Sequence, residues 1–192
     1  MKTSVGKFVV TVLVFPVFGS FAQAPDSKAD DKNLSKTASH VKIKYDKSKD
    51  LTTVTLKPID LGGAMTKEVT NLGQVTQLTL EVFFTYPGER PSKPVESLTM
   101  RFISRARFPV FQRGQTLMAV LDDVSAIPLG DTSYKTNAQT FYTDGIFETA
   151  ASFHVMKRIS GAKKAMFFLG NRQIALRESW LQDLRDITTR MA

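Results

Sequence analysis

Hydrophobic and polar residues alternate with a period of two over much of the chain after residue 40, a pattern typical of half-buried β-strands. Lysines and threonines separate the hydrophobic positions of the first two stretches, and residues 47–50 (KSKD) form the turn between them. The longest stretch runs from Gln77 to Tyr86 and stops at Pro87-Gly88. The hydrophobic residues predicted to share the inner faces are Val41, Ile43, Tyr45, Val54, Leu56, Leu78, Leu80, Val82, Phe84, Tyr86, Leu98, Met100 and Phe102.

The middle of the chain predicts a β-hairpin. Residues 115–121 and 124–129 have strand patterns, and Asp122-Asp123 forms the turn that joins them. Pro128 has no amide hydrogen to donate, so its strand is expected at the edge of a sheet. Residues 130–145 are polar and rich in turn-forming residues, which predicts a long surface loop, and residues 146–152 predict a further strand.

The last forty residues change from a strand pattern to a helical one. Residues 153–160 have hydrophobic residues at helical spacing, and Gly161 stands where a helix would end. Residues 165–169 and 173–176 predict two short strands around Gly170-Asn171. Residues 178–191 predict a C-terminal amphipathic helix, whose apolar face needs a hydrophobic surface to lie on. That face contains Trp180, Leu184, Ile187 and Met191.

These elements predict one mainly β domain of the α+β class over residues 40–192. We expect a single antiparallel β-sandwich or curved sheet, with a short helix near residues 153–160 and the amphipathic helix 178–191 at its end. Residues 25–39 contain one large apolar residue, Leu34, and predict a flexible polar leader because such a segment cannot offset its ordering entropy by burial.

Residues 1–24 have the three parts of a secretory signal peptide. Lys2 and Lys7 precede an apolar core over residues 8–19, and Ala22-Gln23-Ala24 is a small-residue cleavage site. The apolar core is shorter than the ~20 residues that a membrane-spanning helix needs. We therefore predict cleavage after Ala24, a secreted or periplasmic protein, and no transmembrane span after cleavage.

Composition narrows the chemistry that this domain can carry. The chain of 192 residues has no Cys and two His, which excludes disulfide scaffolds, thiolate metal sites and Cys nucleophiles. Its 26 Lys and Arg against 18 Asp and Glu give a net charge of +8, so the protein is basic. No cofactor-binding motif appears, and we expect no cofactor.

Three short features are weak candidates for chemistry. His154 has a side chain that titrates near neutrality and is a candidate general base, with Asp144 and Glu148 as the nearest acids in sequence. Asp122 and Asp123 are the paired carboxylates of the predicted domain and a candidate metal site, although turn chemistry explains them as well. Residues 160–163 match an S-x-x-K acyl-transfer pattern, but a glycine separates the two functional residues.

The basic residues form three groups in sequence, and they are the candidate binding residues. If two of these groups share a face, they would bind an anionic envelope polymer or another polyanion; an ordinary solvated surface is the alternative. The candidate residues are Lys42, Lys44, Arg101, Arg105, Arg107, Lys157, Arg158, Lys163 and Lys164.

The C-terminal third resembles uncharacterised secreted bacterial β-rich proteins. The resemblance covers residues 115–190 and lies in the hairpin at 121–124, the helical segment ending in residues 161–164 (GAKK), the strand pair after it and the closing helix. Asp123 and Met166 stand where that pattern has glycine and an acid. The resemblance implies a secreted β-rich domain and provides no catalytic residues.

These observations favour an exported, non-enzymatic β-domain that acts as a binding or structural module of the cell envelope or extracellular space. Its partner would be an anionic envelope polymer or another envelope protein. Two alternatives stay open: a small secreted hydrolase that uses His154, and a polyanion-binding protein that acts through its Lys and Arg clusters.

Overall fold

The computed structural model describes residues 40–62, 75–107 and 115–192. All of them belong to one compact unit, Thr37–Ala192. The predicted signal peptide and polar leader lie outside the described residues. The described residues are mostly β and form two antiparallel sheets and two helices, as the alternating pattern predicts.

The larger sheet has seven strands, and its hydrophobic positions face inward as the sequence predicts. Its main order is β1-β2-β4-β5-β9-β8, and the two-residue strand β3 pairs with β4 beside β2. All of these pairs are antiparallel. The strands are β1 (Val41–Asp46), β2 (Leu51–Leu56), β3 (Ile59–Asp60), β4 (Val75–Pro87), β5 (Ser97–Ala106), β8 (Ser133–Ala138) and β9 (Thr143–Ser152).

The smaller sheet has four antiparallel strands in the order β11-β10-β6-β7. It contains the predicted hairpin and the short strand pair near the C-terminus. The strand that holds Pro128 lies at the edge, which confirms the prediction from its missing amide hydrogen. The strands are β6 (Thr116–Leu121), β7 (Ser125–Asp131), β10 (Ala165–Leu169) and β11 (Arg172–Ala175).

Both predicted helices are present. α1 (Phe153–Gly161) begins after Ser152, whose hydroxyl accepts a hydrogen bond from the amide of Val155 at 3.3 Å. Gly161 is the last helical residue, and the C-cap is Ala162 in an extended conformation, so the predicted glycine cap is wrong. α2 (Glu178–Thr189) ends two residues before the predicted boundary. No helix in the described ranges has the length and apolar content needed to cross a membrane.

The core lies between the larger sheet on one side and the smaller sheet with the two helices on the other. Phe102 of β5 meets Phe167 of β10 edge to face, with ring centroids 5.8 Å apart. The buried face of α2 carries Leu181, Leu184 and Ile187, and this helix contacts β1 and β2. Two layers that cover one apolar interior are the arrangement that the alternating strands and the amphipathic helix predict.

Residues 130–145 do not form the predicted surface loop. Most of this segment is a strand pair, because β7 continues to Asp131 and β8 pairs with β9 from Ser133 to Ala138. β8 is an edge strand whose side chains are almost all exposed, so it needs no alternating apolar residues. Tyr134 alone packs inward, against Phe147 with ring centroids 4.9 Å apart.

Candidate binding cleft

A cleft of about 490 Å³ opens between the inner face of the larger sheet and the C-terminal half of α2. Its volume lies within the ~300–1,000 Å³ that is usual for small-molecule sites. Strands β1, β2 and β4 form one wall and α2 forms the other. The residues that line the cleft are Ile43, Val54, Tyr86, Pro91, Asp186, Thr189 and Arg190.

The cleft exists because α2 does not cover the whole inner face of β1. The helix is tied to the start of this strand, where Nδ1 of His40 lies 2.7 Å from Oδ1 of Asp183. Less than two turns later the helix ends at Thr189. Ile43 stands on the core-facing side of β1, yet 53% of its surface is exposed. More than half of the surface of an apolar strand residue is therefore left uncovered in the cleft.

Two opposite charges border this apolar surface. Asp186 and Arg190 are four residues apart on α2, a spacing that places side chains on the same face of a helix. Oδ1 of Asp186 accepts a hydrogen bond from Nε2 of Gln182 at 3.1 Å. Arg190 is exposed and forms no ion pair with any residue that the structure describes. The cleft thus has an apolar floor with a carboxylate and a guanidinium at its rim.

The end of β1 and the turn after it contain a second polar cluster. The phenol of Tyr45 donates a hydrogen bond to Oδ1 of Asp50 at 2.8 Å. This bond, and the negative charges around it, raise the pKa of Tyr45 above its ordinary value. Asp46 accepts hydrogen bonds from the hydroxyl and the amide of Ser48, and these bonds lower the pKa of Asp46.

Two of the predicted binding residues are paired with acids across neighbouring strands. Arg101 of β5 lies between Glu148 of β9 at 2.5 Å and Glu81 of β4 at 3.1 Å. Desolvation lowers the pKa of Arg101, but these two carboxylates outweigh it and raise the pKa above its ordinary value. Arg105 binds Asp144 through two hydrogen bonds of 2.8 and 3.0 Å, which raise its pKa. The positive charge of both arginines is therefore offset locally.

The candidate lysines of β1 lie on the same outer face of the sheet as these arginines. Lys42 and Lys44 are exposed on an edge strand, opposite Thr55 and Thr53 of β2. Arg107 is exposed at the end of β5. The structure thus brings the first two sequence groups to one face, where the acids opposite Arg101 and Arg105 interrupt the positive charge.

The third basic group lies together at the end of α1. Lys157, Arg158, Lys163 and Lys164 are all exposed. Arg158 donates a hydrogen bond to the hydroxyl of Ser125 at 2.9 Å. Cations at the C-terminal end of a helix complement its dipole, so this position is electrostatically favourable.

The two aspartates of the predicted metal site form a hairpin turn, and one of them binds backbone amides. Asp122 and Asp123 have φ of 51° and 62°, and the amide of Val124 donates to the carbonyl of Leu121 at 3.1 Å, which closes the hairpin turn. Oδ1 of Asp122 accepts hydrogen bonds from the amides of residues 163 and 164, at 3.0 and 2.9 Å. Among the described residues no three potential metal ligands cluster, at this turn or elsewhere.

His154 is exposed near the start of α1. The two acids nearest to it in sequence, Asp144 and Glu148, are bound to arginines. Ser160 is buried and its hydroxyl donates to the carbonyl of Lys157 at 3.4 Å, whereas Lys163 is exposed. Within the described ranges, the side chain of His154 forms no hydrogen bond or ion pair, and neither Asp144 nor Glu148 orients it.

Sequence reasoning missed the residues that build the cleft. The alternating pattern predicted correctly that the side chain of Ile43 faces the core. Nothing in the sequence showed that α2 would end before it covered this residue. The contact between His40 and Asp183 joins residues 143 positions apart, and no local pattern reports such a pair. The i, i+4 spacing of Asp186 and Arg190 was the available signal, although on its own it is common on solvated helices.

Comparison with protein-family models, with curated proteins and with solved structures found no match to this chain. The resemblance of residues 115–190 to secreted bacterial β-rich proteins stays a prediction.

Proposed function

We propose that this protein is an exported, non-enzymatic β-domain of the cell envelope or extracellular space, and that it binds its ligand in the cleft beside α2. The single observation that carries this proposal is the exposure of Ile43 on the core-facing side of β1. A strand residue that faces the core is normally covered by protein, and an uncovered one in a cleft of this size favours a ligand.

Binding at the cleft is tested with Nile red, a neutral dye whose fluorescence rises in apolar surroundings. We expect the protein to enhance the dye's fluorescence and Ile43→Lys to remove most of the enhancement. Val124→Lys is the matched control, because Val124 is 89% exposed at a hairpin turn away from the cleft. Equal enhancement by both variants and by the unaltered protein would show that the cleft is not the apolar binding surface.

Export is tested separately. The three-part pattern of residues 1–24 supports it, and cleavage after Ala24 gives a mature protein that begins at Pro25. We expect N-terminal sequencing of the protein from the periplasm or the medium of a producing cell to begin at Pro25. Recovery of the protein in the cytoplasm with Met1 retained would contradict export and leave the binding proposal standing.

Polyanion binding is a second candidate function, and the basic group at the end of α1 favours it. Four exposed cations lie within eight residues there, and heparin is a suitable probe. If this basic group binds polyanions, the protein stays on heparin resin above roughly 200 mM salt, and the double variant Lys157→Gln, Lys163→Gln elutes at lower salt. Lys42→Gln with Lys44→Gln is the charge-matched control. Elution below that salt concentration would contradict polyanion binding.

A further inference from the structure

We infer that the ligand of the cleft is a free α-amino acid with an apolar side chain. The inference rests on the proposed function, because it assigns a ligand class to the same cleft. The ammonium group would bind Asp186, the carboxylate would bind Arg190, and the apolar side chain would lie against Ile43, Val54 and Tyr86.

The two rim charges favour a ligand that carries both signs. Asp186 and Arg190 have the sequence spacing of an ion pair on a helix, but they form none with each other. A ligand that has only a carboxylate would meet Asp186 and the negative end of the α2 dipole. A ligand that has only an ammonium group would meet Arg190. A zwitterion has a favourable partner for each of its charges.

The apolar floor favours a hydrophobic side chain over a small or polar one. Val54 is buried beneath the cleft, and Tyr86 and Pro91 border it on the β4 side. Contact between Ile43 and an apolar ligand side chain would remove apolar surface of both from water. Glycine has no side chain and cannot make this hydrophobic contribution to binding.

Calorimetric titration with L-leucine tests the ligand class directly. Isocaproate and isoamylamine share the leucine side chain and have one charge each, and glycine has both charges without the side chain. We expect L-leucine to bind at least about tenfold more tightly than any of the three. Isocaproate and isoamylamine each lose one charged hydrogen-bonding partner, and glycine loses the burial of the apolar side chain.

Variants of the two rim residues assign the charges. Arg190→Gln and Asp186→Asn keep the shape of each side chain and should each weaken L-leucine binding about tenfold. Arg190→Gln should leave the affinity for isoamylamine unchanged or raise it. Arg177→Gln, at the other end of α2, is the matched control and should bind L-leucine as the unaltered protein does. Thermal melting of each variant establishes that it is folded.

The failure of this inference and the failure of the proposed function give different results. If Nile red reports the cleft but L-leucine binds no better than isocaproate or isoamylamine, the amino-acid ligand is wrong and the cleft still binds apolar molecules. Binding of L-leucine that both rim variants leave intact would likewise overturn the assignment. If neither Nile red nor L-leucine depends on Ile43, both proposals fall.

Discussion

The carboxylate of Asp122 joins the β6–β7 turn to the segment that follows α1. It accepts hydrogen bonds from two consecutive backbone amides, those of residues 163 and 164, and its own amide donates to the carbonyl of Lys164 at 3.0 Å. These amides lie beyond the helix and would otherwise depend on water. An acid at this position therefore stabilises a connection between two parts of the chain that are far apart in sequence.

We predict that Asp122→Ala lowers the free energy of unfolding by about 1–2 kcal/mol, because two backbone donors lose a charged acceptor at this exposed turn. Chemical denaturation measures the change. Asp123→Ala is the control, since Asp123 is largely exposed and alanine meets the same conformational cost at its positive φ without the loss of the two amide bonds. An equal loss in both variants would show that the turn conformation, rather than the two amide bonds, is responsible.

At the scale of single residues, the sequence predicted backbone conformation better than it predicted hydrogen-bond partners. Asp122 and Asp123 are residues that turns favour, and the hairpin they close was predicted from them and from the strands on either side. Their partners, the amides of residues 163 and 164, lie about forty positions away. Only the folded arrangement of β6, β10 and the end of α1 brings the carboxylate of Asp122 to these amides. From the sequence alone, the same carboxylate could equally be interpreted as a metal ligand.

The β1–β2 hairpin contains a pH-dependent contact between Tyr45 and Asp50. The hydrogen bond to Asp50 raises the pKa of Tyr45, so the neutral phenol is favoured in the folded state. A pKa that is higher in the folded state contributes stability that is fully present below the unfolded value, about 10, and lost as the pH rises through the folded value. As the pH rises, the contact is therefore kept until strongly alkaline solution.

We predict that Asp50→Asn lowers the pKa of Tyr45 towards its ordinary value. Asparagine removes the negative charge and accepts only a weaker, uncharged hydrogen bond, and it tolerates the φ of 46° at this position. Titration followed by NMR measures the pKa, and Tyr45→Phe identifies the signal. Asp46→Asn should have a smaller effect, because Asp46 makes the smallest of the contributions to this shift. An unchanged Tyr45 pKa in Asp50→Asn would disprove the coupling.

The end of α1 is capped by a side chain from the other helix. Nε of Arg185 donates to the carbonyl of Ser160 at 2.6 Å, and Nη2 donates to the carbonyl of Ala162 at 3.2 Å. The last carbonyls of a helix have no partner within it, so a guanidinium in this position satisfies two of them. Nη1 of the same group lies 2.6 Å from Oε1 of Glu178.

We predict that Arg185→Gln lowers the free energy of unfolding by about 1–2 kcal/mol, and that Arg185→Lys restores little of it. A lysine ammonium cannot reproduce the planar fork that reaches both carbonyls. Thermal or chemical denaturation measures both variants beside Arg190→Gln, which removes a guanidinium at the end of the same helix that forms no ion pair with any described residue. A lysine variant as stable as the unaltered protein would mean that charge alone, and not the fork, holds the helix end.

Elements with one buried face were predictable, and those without one were not. The strand around Leu78, Leu80 and Val82 and the helix around Leu184 have apolar residues at the spacing of their own geometry, and all are buried as expected. β8 has no such spacing. It is held by backbone hydrogen bonds to β9 at the edge of the sheet. Such pairing does not depend on the side chains, so the pattern of apolar residues does not predict this strand.

At the scale of the whole molecule, the position of α2 on the larger sheet determines where the cleft opens. The sequence predicts that a helix must cover part of the sheet, but it does not specify how far along β1 the helix extends. That distance depends on contacts such as the one between His40 and Asp183, and it leaves Ile43 exposed. A candidate site that arises from incomplete coverage is therefore visible only in the structure.

The two layers meet at Phe102 and Phe167, and this contact tests whether they unfold as one unit. Phe167 is fully buried, and its truncation to alanine removes an aromatic contact and leaves a cavity, so we predict a loss of about 3–5 kcal/mol. Phe168→Ala is the control, because the neighbouring residue faces the other side of β10 and is only half-buried.

Two signals report the two parts of the structure in this experiment. Far-ultraviolet circular dichroism follows the sheets, and the fluorescence of Trp180, the one tryptophan of the chain, follows α2. If the layers form one cooperative unit, Phe167→Ala lowers both transition midpoints by the same amount, although the substitution lies in the smaller sheet. A fluorescence transition that stays in place while the dichroism transition falls would show that α2 holds to the larger sheet independently of the smaller one.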